Sequence, residues 1–502
     1  MFYANVVKGN IKFKKYNALP FNNLINHKLD AKTVPFGRCD NLYNFNTYTG
    51  ALTDGIGISD IELVYENYYD MKYKTVQLPS AKEITGCYFL KYWHEPMNQY
   101  LYLLMIYCHD GKILYNMVNS INSEWTEIDN LQFSSKPMAL YSKVNGVDSL
   151  IFYTENDGMF VWNMQLSKPI KVDNPPKITS MCIHDNRLFA TIKGDARSVI
   201  FSEELNPTNF NVSTEEGGYI NMSDDFGKCN KVVSFDGYLY VFRDYNIARI
   251  TEGRDRNEFV VTQLYVGNGK IYPNTVSVCG DKIMFLAADG VYKFDGTTAK
   301  KINFDFDDMI VGIDNHNAIG QYFDGNYYLA CVIDFEDEVR FGCESLTAYH
   351  NNALIKINMS TDYIEVHRGC DISGLTLVND GLNNCIIVTY TFDSMISTIG
   401  ILKESGSLKS KMLKKFWKSE MHDFDLPNKL KFIKDITLIT HSDITLNIYL
   451  DDKIKKYNVK GKSSAQSIKI NERFTRLGFG FESDTNGVYI TIPQVKVGIY
   501  EE

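Results

Sequence analysis

Side chains able to do chemistry are sparse and widely spaced in this 502-residue chain. Acid runs fall at FDFDDM (304–309) and DFEDE (334–338), and strand alternation would put Asp305 and Asp307 on one face. Two carboxylates on one face could bind calcium, and a pair at fixed separation across a cleft is what glycoside hydrolysis needs. Solvated turn acids are the simpler reading. His94, His109, His184 and His350 sit at turn edges far apart in the chain, which reads as surface histidine rather than a metal set. No phosphate-cradling G-x-x-x-x-G-K-[ST], G-x-S-x-G elbow or H-E-x-x-H pair is present, and GNGK (267–270) reads as a turn. TENDGMFVW (154–162) nearly matches the S-x-D-x-G-x-x-W box, with its Trp one position late, and that box is a fold-stabilising turn. No catalytic, cofactor-binding or metal-ligating residue is therefore assigned.

One stretch concentrates positive charge: SLKSKMLKKFWKSE (407–420) carries Lys409, Lys411, Lys414, Lys415 and Lys418 around Phe416 and Trp417. Such a stretch can touch nucleic acid, face an acidic neighbouring subunit, or stay in water. The chain as a whole is acidic, with net charge −9, which argues against a broad electrostatic grip on nucleic acid. Of the ten cysteines, Cys182, Cys279, Cys331 and Cys385 each lie inside an apolar run, and no C-x-x-C occurs. They read as small buried hydrophobes of a protein assembled in a reducing cytoplasm. No run approaches 18 apolar residues, and MFYANVVKGNIKFKKYNALPF has no uninterrupted apolar h-region, so neither membrane insertion nor a secretory signal is expected.

The elements that would position these residues are strands. The 33 Tyr and 30 Phe suit pleated, half-buried surfaces, and 12 Pro is few. KVVSFDGYLYVFRDYNIARI (231–250) writes three short strands around an Asp236-Gly237 turn. TVSVCGDKIMFLAADGVYKFDGTTAKKI (275–302) repeats the plan with a fourth, turning at Gly280-Asp281, Asp289-Gly290 and Asp295-Gly296. AIGQYFDGNYYLACVIDF (318–335) turns at Asp324-Gly325, and SMCIHDNRLFATI (180–192) at Asp185-Asn186. Successive turns lie 51, 43 and 45 positions apart. A loose period in the forties with three or four strands per unit predicts an all-β protein built as a β-propeller of six or seven blades over 80–405. A sandwich array is the alternative. Residues 1–79 read as an N-terminal extended or platform segment. The sharp alternation in DITLITHSDITLNIYLDDKIKKYNV (435–459) predicts a small antiparallel β-sandwich over 406–502.

HDNRLFATIKGDARSVIFSEELNPTNF (184–210) resembles a phrase of the β-propeller tail proteins of short-tailed bacteriophages, the packaged-DNA stabilisation or tail nozzle (hub) family. The matching residues are Arg187, Leu188, Phe189, Phe201, Ser202, Glu203, Asn206 and Pro207. YLYVFRDYNIARI, NTVSVCGDKIMFLAADGVYKFDG, NLYNFNTYTGALTDGIG and KKFWKSEMHDF are similar to further segments of that family, in the same linear order. The resemblance implies a structural virion protein without catalysis or cofactor. It would be a tail nozzle or head-to-tail connector subunit, forming a homo-oligomeric, usually hexameric ring beneath a portal or adaptor and near tail fibres or spikes. Double-stranded DNA would pass its channel during ejection without specific binding, and the protein would be assembled in the host cytoplasm. The alternative is a carbohydrate-binding or glycan-hydrolysing propeller, a tailspike or secreted glycosidase. Only 4 Trp are available for stacking on sugars, which weighs against it.

Overall fold

A computed structural model describes residues 11–21, 35–67, 70–80, 82–120, 124–166, 168–194, 197–212, 217–222, 224–252, 258–302, 307–334, 350–379, 381–392 and 396–500. The regular structure of the described residues is almost entirely strand, with a few short 3-10 turns and one four-residue helix. Six consecutive four-stranded antiparallel sheets run from Ile84–His94 to Ile364–Arg368, and a seventh begins at Asp371–Asn379. These are the blades of a propeller.

The turns follow the sequence chemistry. Asp185-Asn186, Asp236-Gly237 and Asp324-Gly325 all take positive φ at both central positions, the hairpin geometry that matches strand twist. Gly280 takes φ 63° at the first central position. One turn shifts by a residue: Ala287 pairs with Gly290, so the second hairpin of blade five turns at Ala288-Asp289.

Blades pack face to face, so a middle strand is buried on both sides and loses its polar alternation. Tyr327 and Leu329 point towards blade five, whereas Tyr328 and Ala330 point towards blade seven. That is why NYYLAC (326–331) is an unbroken apolar run. An apolar cluster fills each seam, the one between blades five and six running on into the sandwich core, and the one that closes the circle joins Leu104 and Ile106 of blade one to Ile387 and Ile401 of blade seven. The first strand of each blade lines the axis, since Ile84–His94 packs on Asp371–Asn379 and Ile178–His184 on Cys229–Phe235.

Blade seven takes its outer strand from the other end of the chain. Gly57–Ser59 pairs antiparallel with Ser397–Lys403, and Ser407–Leu408 and Lys411–Met412 extend the same sheet. The sandwich is likewise built from both ends. One sheet runs Ile11–Asn17, Gln494–Tyr500, Lys431–Thr440, Tyr489–Ile490, Leu52–Asp54, Phe45–Asn46, with Lys462–Phe474 also on Lys431–Thr440. The other runs Cys39–Tyr43, Lys415–Ser419, Leu477–Ser483, Ile444–Leu450, Lys453–Val459. Between them Phe21, Trp417, Phe479 and Phe481 form an aromatic core, with Phe21 and Trp417 edge to face at 4.8 Å. Local sequence pattern predicts units at 1–79, 80–405 and 406–502. In the fold, residues 11–54 supply sandwich strands, 57–59 belong to blade seven, and 407–412 lie on the propeller side. A ring of sheets needs a strand from elsewhere to close its last blade, and local alternation carries no signal of that partner.

Candidate functional site: the clasp where both chain ends meet blades six and seven

The residues singled out for chemistry do not converge. His94 caps a short 3-10 turn by accepting from Met97 N–H, and His109 stands at the edge of another turn of blade one. His184 bonds Ser234 in the next blade, and His350 bonds Asp371. Among the described residues no group of three or more His, Cys, Asp or Glu could hold a metal ion. Asp305 and most of DFEDE (334–338) lie outside the described residues, and Asp307 begins the short helix Asp307–Ile310 rather than a strand. In TENDGMFVW, Asp157 Oδ2 accepts from Thr154, Ser134 N–H and Ser134 Oγ, which ties a turn of blade two to the end of blade one.

Most cations of the basic stretch 407–420 pair within the chain. Lys409 lies 3.7 Å from Asp60, Lys414 lies 3.5 Å from Glu482, and Lys418 pairs with Asp40. Lys411 lies over the Phe392 ring at 4.4 Å. Lys415 is fully buried, donates to the Thr485 carbonyl at 2.6 Å and stands 3.2 Å from Asp54. Trp417 is core. Four of these five lysines are therefore paired with acids of the same chain.

The family-like phrase in blade three is structural too. Buried Arg187 donates to the Ser202 carbonyl at 2.9 Å and lies over the Phe201 ring. Ser202 Oγ accepts from Leu188 N–H, and Glu203 Oε2 accepts from both Asn206 and Asn209 at 3.0 Å. The phrase holds a blade corner together.

Polar groups do converge where residues 44–58 cross the last strand of blade six, Ile364–Arg368. Asn44, at φ 60°, donates its backbone N–H to Val366 O. Its side chain donates to the carbonyls of Arg368 (2.7 Å) and Lys414 (2.8 Å) and accepts from Arg368 N–H (2.7 Å). Both backbone groups of Ile56 are held by blade-six side chains. Its N–H donates to Glu365 Oε1 at 2.6 Å, and its carbonyl accepts from His367 Nδ1 at 3.0 Å. That bond requires the proton on Nδ1. Gly55 and Gly57 let the strands close: a Cβ at Gly57 would fall 2.3 Å from the Ser407 carbonyl oxygen, and one at Gly55 2.7 Å from that of Asn44.

Electrostatics mark the clasp as dry. Burial pushes the Glu365 carboxyl up to about 7, against the pull of Lys356 at 3.6 Å and the Ile56 N–H. Burial pulls His367 down to about 4. Lys356 also reaches Glu404 at 2.8 Å. A shifted acid beside a shifted imidazole resembles a catalytic pair, yet both are sealed from solvent. The adjoining cavity, about 200 Å³ and lined by Ile56, Tyr328, Lys356, Leu402 and Glu404, does not expose Glu365. This geometry fastens rather than reacts. Sequence reasoning missed it because the partners lie more than 300 residues apart.

No protein-family model and no curated protein sequence matches the chain. Solved structures do. "BBS1N in complex with ARL6DN, soaked with lead" is 9% identical, with a TM-score of 0.41, over 69% of this chain and 97% of that one. The same complex soaked with mercury is 10% identical, with a TM-score of 0.40, over 70% and 100%.

Proposed function

We propose that the chain is a structural subunit of a bacteriophage tail, a nozzle or head-to-tail connector that assembles into a ring of like subunits through which the genome is retained and released. The observation that carries this reading is the clasp. A chain that ties the segments flanking its propeller, residues 44–58 and 407–414, into its own penultimate and last blades leaves the last blade no free edge from which to peel open, as a load-bearing part requires. The ordered phrases that resemble tail nozzle proteins support the reading, and they fall in blades three to five, at the clasp and on the sandwich strand Lys415–Ser419.

The DNA path then lies between subunits. Seven sheets stacked about 10 Å apart enclose at most roughly 22 Å between backbones, before side chains fill the space. A duplex with a major groove about 12 Å wide and two flanking backbones does not fit there. A ring, six-membered by the resemblance, provides the wider passage, with a portal or adaptor on one side and fibres or spikes around it. No helix of the described residues is long and apolar enough to cross a membrane. Electron micrographs of the parent particle, with this chain labelled, test the proposal. Label in a ring at the head-to-tail junction or tail tip is expected, and a particle with no ring containing the chain overturns it.

A further inference from the structure

The outer face of the larger sandwich sheet carries charge that local sequence does not reveal. Directly paired residues share a face of a sheet. Lys15 pairs with Lys496, Lys496 with Asp435, and Asp435 with Lys469. The next row is Phe13, Gly498, Phe432 and Arg473. A bulge between Ile433 and Asp435 adds Lys434 to the same side. Ile433, Ile436, Val495 and Val497 fill the opposite face, so the orientation is fixed by the core. The face thus brings five cations and one carboxylate together from both ends of a chain whose net charge is −9. Among the described residues no carboxylate lies within ion-pair distance of Lys15, Lys434, Lys469 or Lys496, and the first three are exposed. Lys434 and Lys496 stand 5.3 and 5.5 Å from the Phe13 ring, whose edge meets Phe432 at 6.3 Å.

We propose that this sheet face binds the phosphodiester backbone of duplex DNA without regard to sequence. Lys15, Lys496 and Lys469 lie in one row across the strands, about 4.8 Å per strand step, with Lys434 on the bulge beside Asp435 and Arg473 in the next row about 6.8 Å along. A duplex presents a charge every ~1.7 Å, so such an array meets phosphates without needing a matching shape. A folded protein partner would need a desolvated apolar centre. Here Phe13, the exposed ring of the face, is already taken up by two ammonium groups and Phe432. The inference stands on the sheet face alone and does not depend on a virion role.

Fluorescence anisotropy of a labelled 30-base-pair duplex of random sequence, titrated with the full-length protein between 25 and 200 mM salt, reads it out. If each unpaired lysine meets one phosphate, log K against log salt has a slope of about −3.6, or roughly a hundredfold loss of affinity between 50 and 200 mM. The double variant Lys434→Gln with Lys469→Gln should flatten the slope by about 1.8. Lys193→Gln with Lys282→Gln, on propeller lysines, should leave it unchanged, with circular dichroism confirming that both doubles are folded. Equal slopes in the two doubles, or no duplex binding at 25 mM salt, overturn the proposal. So does binding to vesicles with anionic headgroups in place of duplex. A ring in the parent particle without duplex binding would sink this face and spare the function proposed above.

Discussion

Substituting Glu365 should expose a pH dependence that the intact clasp hides. Glu365 titrates near 7 in the fold and 4.5 in the unfolded chain, and His367 near 4 against 6.5. A raised acid makes stability fall as pH climbs from 4.5 to 7, while a depressed imidazole makes stability fall as pH drops from 6.5 to 4. Between pH 4.5 and 6.5 the unfolded pair holds one proton, on histidine, and the folded pair also holds one, on glutamate. The two slopes cancel. Glu365→Gln keeps an acceptor for the Ile56 N–H but removes the acid, so the histidine slope stands alone. Over about 2.5 pH units that is about 3 kcal/mol, gained as pH rises from 4 to 6.5. His367→Asn keeps a donor and leaves the glutamate slope, a similar loss from pH 4.5 to 7. With an unfolding entropy of about 2.1 cal/mol/K per residue, a chain this long shifts by about 1 °C per kcal/mol, so each variant should drift about 3 °C relative to wild type, in opposite directions. Thermal melts followed by near-ultraviolet circular dichroism across that pH range suffice. Variants whose midpoints run parallel to wild type would refute the dry, self-compensating pair.

Other substitutions separate fastening from ornament. Gly57→Ala drives a Cβ into the Ser407 carbonyl and should cost about 1–3 kcal/mol, seen as a lower melting midpoint and faster proteolysis within 52–60. Lys415→Ala breaks a buried pair and should cost about 3–5 kcal/mol, whereas Lys409→Ala, half-exposed beside Asp60, should stay under about 1 in urea unfolding. Burial pushes the thiols of Cys87, Cys279 and Cys331 up to about 12, so a thiol reagent at pH 8 should leave them unmodified in the native protein and label them once urea is added.

What could be read from the chain was what is local. Hairpin turns declare themselves because positive φ demands Gly, Asn or Asp, and residues 185–186, 236–237 and 324–325 obeyed. Runs such as NYYLAC show double-sided burial, and their recurrence gave the blades. The clasp was invisible because Asn44, Ile56 and Gly57 look like loop residues until Glu365, His367 and Arg368 are laid beside them. The basic stretch misled for a related reason: the acids that pair with it, Asp40, Asp54, Asp60 and Glu482, lie at the two far ends of the chain. The lysine-bearing sheet face escaped notice because residues 13–15, 432–435, 469–473 and 496 become neighbours only through strand register.

The most direct test of the account is the native mass of the purified full-length protein at high concentration. A discrete closed assembly, six copies by the resemblance, is predicted. A mass of one copy at every concentration, from a protein that melts as a single folded body, would contradict a ring-forming part.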